Sequence, residues 1–125
     1  MILDTNALSA IAEGEGGASR AFARAAQVAI PVIVLGEYRF GIAASRNRRE
    51  YERWLKQMLS LSEVLQVDEE TATWYADLRS QLKEAGTPIP SNDAWIAALC
   101  RQHGLPLLSR DRHFDFVEGV RRLDW

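Results

Sequence analysis

Four carboxylates stand where a side chain can do chemistry. Asp4 follows the apolar pair Ile2-Leu3, and Asp111 comes two residues after the run Leu105-Pro106-Leu107-Leu108-Ser109. Short apolar runs of this kind read as buried strands, and in open α/β sheets ligands gather beyond the carboxyl ends of the strands. Asp93 lies at the start of the helical stretch Asn92-Asp93-Ala94-Trp95-Ile96-Ala97-Ala98, and Glu37 interrupts an otherwise apolar helix. A charged carboxylate in such a helix is costly unless something compensates it. Lys56 and Lys83 are the only lysines, both on helices with wet faces, and Arg39 is too close in sequence to share Glu37's helical face. Pairing with another arginine stays open. If the four acids converge, each pair about 4 Å apart repels by about 4 kcal/mol at an effective dielectric of about 20. A divalent cation resolves that conflict. Oxygen ligands without a cysteine cluster or paired histidines select Mg2+ or Mn2+ rather than zinc. Such an ion activates water and stabilises a phosphodiester during in-line displacement, so the expected reaction is phosphodiester hydrolysis.

These acids need a scaffold, and composition bounds it. With 125 residues, 47% hydrophobic and 26% charged, the chain reads as a single soluble domain over residues 1–125. Cys100, the lone cysteine, can close no intrachain disulfide and fits a small buried hydrophobe in a reducing cytosol. Fifteen basic against seventeen acidic side chains give a formal charge of −2, so any nucleic-acid contact must be local. No apolar run approaches the ~20 residues of a membrane span, and the N-terminus lacks the features of a secretory signal. A cytoplasmic protein with no membrane partner is expected.

Along the chain, Asp4-Thr5-Asn6 offers capping oxygens to a helix at 7–12, and the glycine-containing turn 13–17 separates it from a second helix at 18–27. A strand at 28–30 leads through Pro31 into a helix at 32–44, whose nearly all-round apolar character predicts substantial burial. An amphipathic helix is expected at 46–61, a strand at 64–67, and a helix capped by Asp68 and ended by Gly86. Residues 87–91 form an extended connector before the helix from Asn92 to about Gly104. The strand at 105–109, a charged turn at 110–113 and an edge strand at 120–123 complete the chain. Strands alternating with helices predict a three-layer α/β/α sandwich around a mostly parallel sheet. If the strands before Asp4 and Asp111 are neighbours, both carboxylates open onto one crevice.

Asp4-Thr5-Asn6, Leu35-Gly36-Glu37-Tyr38, the Asn92 to Ala98 run and Ser109-Arg110-Asp111-Arg112-His113-Phe114 together resemble the PIN-domain nucleases, most closely the VapC-type ribonuclease toxins. The resemblance runs in order over essentially the whole chain. It implies a PIN-like sandwich, an acidic Mg2+ or Mn2+ site, endoribonuclease activity on RNA, homodimerisation, and inhibition by a cognate antitoxin whose C-terminal segment fills the active-site groove. By position, Asp4, Glu37, Asp93 and Asp111 match the acidic quartet, with Glu37 acting directly or through water. Asn6 and Ser109 match polar supports, and Asp115 matches an accessory acid.

Arg46, Arg48, Arg49 and Arg53 are placed to contact RNA phosphates or simply to solvate a helix face, and Arg110 and Arg112 flank Asp111 where a substrate backbone would pass. His113 and His103 are left outside the catalytic set, and the tryptophans are assigned to packing rather than base stacking. Two competing readings have distinguishable signatures. An aspartyl-phosphate enzyme would need a second aspartate two positions after Asp4, where Asn6 stands. A PIN-like binding module would act with an antitoxin-like partner in a DNA-binding complex, touching DNA only indirectly.

Overall fold

The computed structural model describes residues 1–125. In chain order it runs β1 (Ile2–Leu3), α1 (Thr5–Ala12), α2 (Gly16–Arg24), β2 (Ala29–Pro31), α3 (Val32–Ile42), α4 (Arg48–Ser60) and β3 (Glu63–Leu65). There follow α5 (Glu69–Glu84), α6 (Ser91–His103), β4 (Leu107–Leu108), a 3-10 turn (Arg112–Phe116) and β5 (Arg122–Leu123). Every strand pair is parallel, in the order β3-β2-β1-β4-β5. Because parallel neighbours need crossovers, helices cover both faces, and the α/β/α sandwich follows. No helix is long and apolar enough to cross a membrane.

From β1 the chain moves outward to β2 and β3, then returns to place β4 on the other side of β1. The junction of β1 and β4 is therefore the topological switch point, where the loops leaving the two strands diverge and open a crevice. Asp4 N–H donates to Leu108 O at 3.1 Å, which ties the start of that crevice to the sheet.

Local chemistry explains the element ends. Asp4 caps α1 by accepting from Thr5 N, and Gly14 at φ +74° makes the turn to α2. Asp68 and Thr71 form a reciprocal capping box on α5, while Gly104 in the left-handed region closes α6. Ala94 and Ile96 to Cys100 are all buried, so the apolar middle of α6 packs into the core, as its unbroken apolar sequence requires.

The expected burial of the 32–44 helix is not met. Only Val34, Tyr38 and Ile42 of α3 are buried, a four-residue spacing that defines one inward stripe, while Phe40 is 86% exposed and Val32 38%. Packing on one side only overrides the all-round apolar composition. Strand β2 extends through Pro31, one residue beyond the expected strand, and α3 begins at Val32, as expected.

Candidate active site

At the C-terminal end of β1, Asp4 is buried and held on both oxygens. Its Oδ1 accepts from Thr5 N at 2.8 Å, and its Oδ2 accepts from Ser109 Oγ at 2.6 Å and from Asn6 Nδ2 at 3.1 Å. Ser109 Oγ in turn accepts from Asp111 N at 3.0 Å, and Asn6 Oδ1 accepts from Arg110 N at 3.2 Å. The expected supports, Asn6 and Ser109, thus lock the strand ends carrying Asp4 and Asp111 together.

Asp93 enters from the first turn of α6. A helix that returns antiparallel to the strands places its N-terminus at their carboxyl ends, so α6 delivers Asp93 to the same crevice. Glu37 arrives from the second turn of α3, where Thr5 Oγ1 donates to its Oε2 at 3.2 Å. No lysine or arginine makes an ion pair with Asp4, Glu37, Asp93 or Asp111. The only basic contacts come from His113, whose Nε2 is 2.8 Å from Asp93 Oδ2 and whose Nδ1 is 3.5 Å from Asp111 Oδ1.

The electrostatics reflect this crowding. Burial raises the Asp93 carboxyl to about 6; His113 opposes the shift, whereas Asp4, Asp111 and Glu37 reinforce it. Burial also raises Asp4, with the hydrogen bonds from Ser109 and Thr5 pulling the other way. Glu37 Oε1 and His113 Nε2 are buried without hydrogen-bond partners. Unpaired acceptors among crowded carboxylates have the donor chemistry of a divalent cation site, and these residues fit one.

Beyond Glu37 a cavity of about 320 Å³ opens between α1, α3 and α4, lined in part by Thr5, Ser9, Glu13, Tyr38 and Tyr51. Tyr51 Oη donates to Glu13 Oε1 at 2.6 Å, and burial pushes the Tyr38 phenol up to about 12.

A family profile described as PIN domain matches residues 1–120. The chain belongs to the PIN-domain family. Ribonuclease VapC5 of Mycobacterium tuberculosis is 32% identical over 100 residues, spanning 78% of this chain and 74% of the relative. Toxin FitB of Neisseria gonorrhoeae is 34% identical over 99 residues, spanning 74% of this chain and 71% of FitB. A solved structure of DNA-bound VapBC from Salmonella typhimurium superposes with a TM-score of 0.87 at 27% identity, covering 99% of this chain and 96% of that one.

In this PIN domain three of the anticipated contacts are engaged elsewhere. Both oxygens of Asp115 accept from Arg122, at 2.9 and 3.1 Å, and that guanidinium holds its carboxyl below the usual range. The accessory acid is therefore already paired, with a guanidinium that also donates to Ser109 O at 3.0 Å. Arg110 bonds Glu15 and lies 4.3 Å from the centre of the Trp125 ring, so its guanidinium already has partners. Arg48 pairs with Glu52 on the same helix. Arg46, Arg49 and Arg112 are exposed, and Arg49 borders a cleft of about 520 Å³ with Arg53 and Lys56.

His113 is the residue that sequence reasoning set aside and the fold brings in. Its one signal was a spacing of two from Asp111; its contact with Asp93 spans twenty residues and has no local signature. Thr5, read only as part of a capping segment, proves to orient Glu37.

Proposed function

We propose that this chain is a cytoplasmic, Mg2+- or Mn2+-dependent endoribonuclease that hydrolyses RNA phosphodiester bonds, the toxin of a type II toxin-antitoxin pair. One observation carries the reading: four carboxylates from four separate elements meet without a lysine or arginine among them. Names of relatives such as ribonuclease VapC5 and toxin FitB point the same way.

Asp4, Asp93 and Asp111 would hold the cation, with Glu37 beside it directly or through water. When bound, the cation supplies Lewis acidity, favouring ionisation of water and neutralising charge on the scissile phosphate. Asn6 and Ser109 aim Asp4 by donating to its Oδ2, and the bond from Ser109 opposes the upward push of burial on its carboxyl. Glu37 Oε1, the free oxygen, is placed to take a proton from the attacking water, while Thr5 fixes the other oxygen. Water attacks phosphorus as its proton goes to Glu37, the bond to the leaving ribose oxygen breaks, and that oxygen takes a proton from solvent. The exposed arginines of α4 would track the RNA backbone.

A cognate antitoxin is the expected protein partner, supported by structural neighbours described as a toxin-antitoxin complex and as a member of a family of toxin-antitoxin systems. DNA would be met only through it. Homodimerisation is supported by large exposed apolar side chains, Phe40 foremost.

The deciding assay is RNA cleavage with and without EDTA, using the wild type and the Asp4→Asn and Asp93→Asn variants. Cleavage should require the added ion and vanish in both variants while circular dichroism stays native. Full activity in EDTA would overturn the metal-dependent mechanism, and RNA or DNA binding without turnover would favour the binding module.

A further inference from the structure

We propose that His113 belongs to the cation's ligand set, contributing Nε2 alongside Asp93 and Asp111, and that this nitrogen biases the site toward Mn2+ over Mg2+. The inference rests on the metal-dependent reading above and specifies both a ligand and the class of ion. Donor atoms of Asp93, Asp111 and His113 lie within 4.8 Å of one another, one from each residue.

The Nε2 contact is the unusual feature. It lies 2.8 Å from Asp93 Oδ2, yet it makes no aligned hydrogen bond with that oxygen or any other atom. A histidine serving only as an ion-pair partner would point its N–H at the carboxylate. Here nitrogen and oxygen stand side by side, as two donors to a third centre do. Adjacent ligand atoms on an octahedral ion with bonds of roughly 2.1 Å are about 3 Å apart, so the spacing suits a shared ion.

The other ring nitrogen supports this assignment. Nδ1 lies 3.5 Å from Asp111 Oδ1, so the ring is flanked by both carboxylates, and the tautomer with its proton on Nδ1 has the Nε2 lone pair free for an ion. The ring is also anchored. Phe114, the next residue, is wholly buried in the core, and its ring centre lies 4.9 Å from that of His113.

Ion selectivity follows from donor chemistry. Mg2+ prefers oxygen ligands, whereas transition metals accept imidazole nitrogen readily. Asp4, Glu37, Asp93 and Asp111 alone form an all-oxygen set; His113 makes it mixed.

Pulsed electron paramagnetic resonance on the tag-free protein loaded with Mn2+ tests the ligand directly. The wild type should show 14N modulation, and growth on 15N-histidine should change that modulation without altering a single side chain. His113→Asn should abolish it, while His103→Asn, at the only other histidine, should leave it intact. By calorimetry His113→Asn should weaken Mn2+ binding by roughly 10-fold or more and leave Mg2+ binding nearly unchanged. Mn2+ bound without nitrogen coupling, or equal weakening for both ions, would overturn the role of His113 and leave the acidic metal site standing. Absence of Mn2+ and Mg2+ binding in the wild type would instead overturn the metal-dependent reading beneath it.

Discussion

Ser109 has no exposed surface and links three groups: it donates to Asp4 and accepts from Asn6 and from the Asp111 N–H. Ser109→Ala would deprive buried Asp4 of a short hydrogen bond and leave the Asp111 N–H without this acceptor. A destabilisation of about 1–3 kcal/mol in denaturant unfolding is expected, with Mn2+ affinity falling by roughly 10-fold or more in calorimetry. Asp93 makes an opposite case. Its folded-state carboxyl titrates near 6 against an ordinary 3.8, so the folded metal-free protein holds that proton more tightly than the unfolded chain does. Stability attributable to this group is therefore greatest in acid and declines as pH rises from about 4 to about 6. Asp93→Asn should stabilise the metal-free protein at pH values above that window, by on the order of 1–2 kcal/mol, and have little effect below it. Thermal melts across that range in a chelating buffer read the difference directly; destabilisation at high pH would show that His113 compensates the charge more fully than burial penalises it.

At the level of elements, α4 and α3 each expose one face that the core does not explain. Along α4, Leu55 and Met58 pack inward while Arg49, Arg53 and Lys56 face solvent. Should this face carry RNA phosphates, Arg49→Ala with Arg53→Ala would weaken binding across sequences alike. The slope of log affinity against log salt should become shallower by about 0.7 for each single-strand phosphate that these arginines no longer neutralise. An unchanged slope in filter binding at several salt concentrations would reduce these side chains to a solvated surface. On α3, the exposed Phe40 contributes little to folding, so Phe40→Glu should leave the melting temperature within about 2 °C. If α3 forms part of a homodimer interface, the same substitution should shift light scattering from dimer to monomer. Retention of the dimer would move the interface to another face.

For the whole molecule, the governing fact is the reversal of strand order at β1 and β4, which turns separate acids into one site. Much of what feeds it was legible one element at a time. Capping chemistry marked Asp4 and Asp68, apolar runs marked the strands, and the continuous apolar sequence of α6 matched its burial, because each of these signals acts over a few neighbouring residues. The acids could thus be ranked by their places at strand ends and helix starts. Their distances, the pairing of Asp115 with Arg122, and the occupation of Arg110 by Glu15 were beyond such reasoning. The same holds for α3, whose apolar residues gave no sign that only one stripe would find a partner. His113 marks the boundary most clearly: two residues from Asp111, it meets Asp93 only once the fold has brought the N-terminus of α6 to the loop that follows β4. Local composition specified the helices, the strands and the acidic character of the site; the order of strands and the company each side chain keeps arose from long-range packing, since contacts between distant segments depend on the simultaneous burial of all of them.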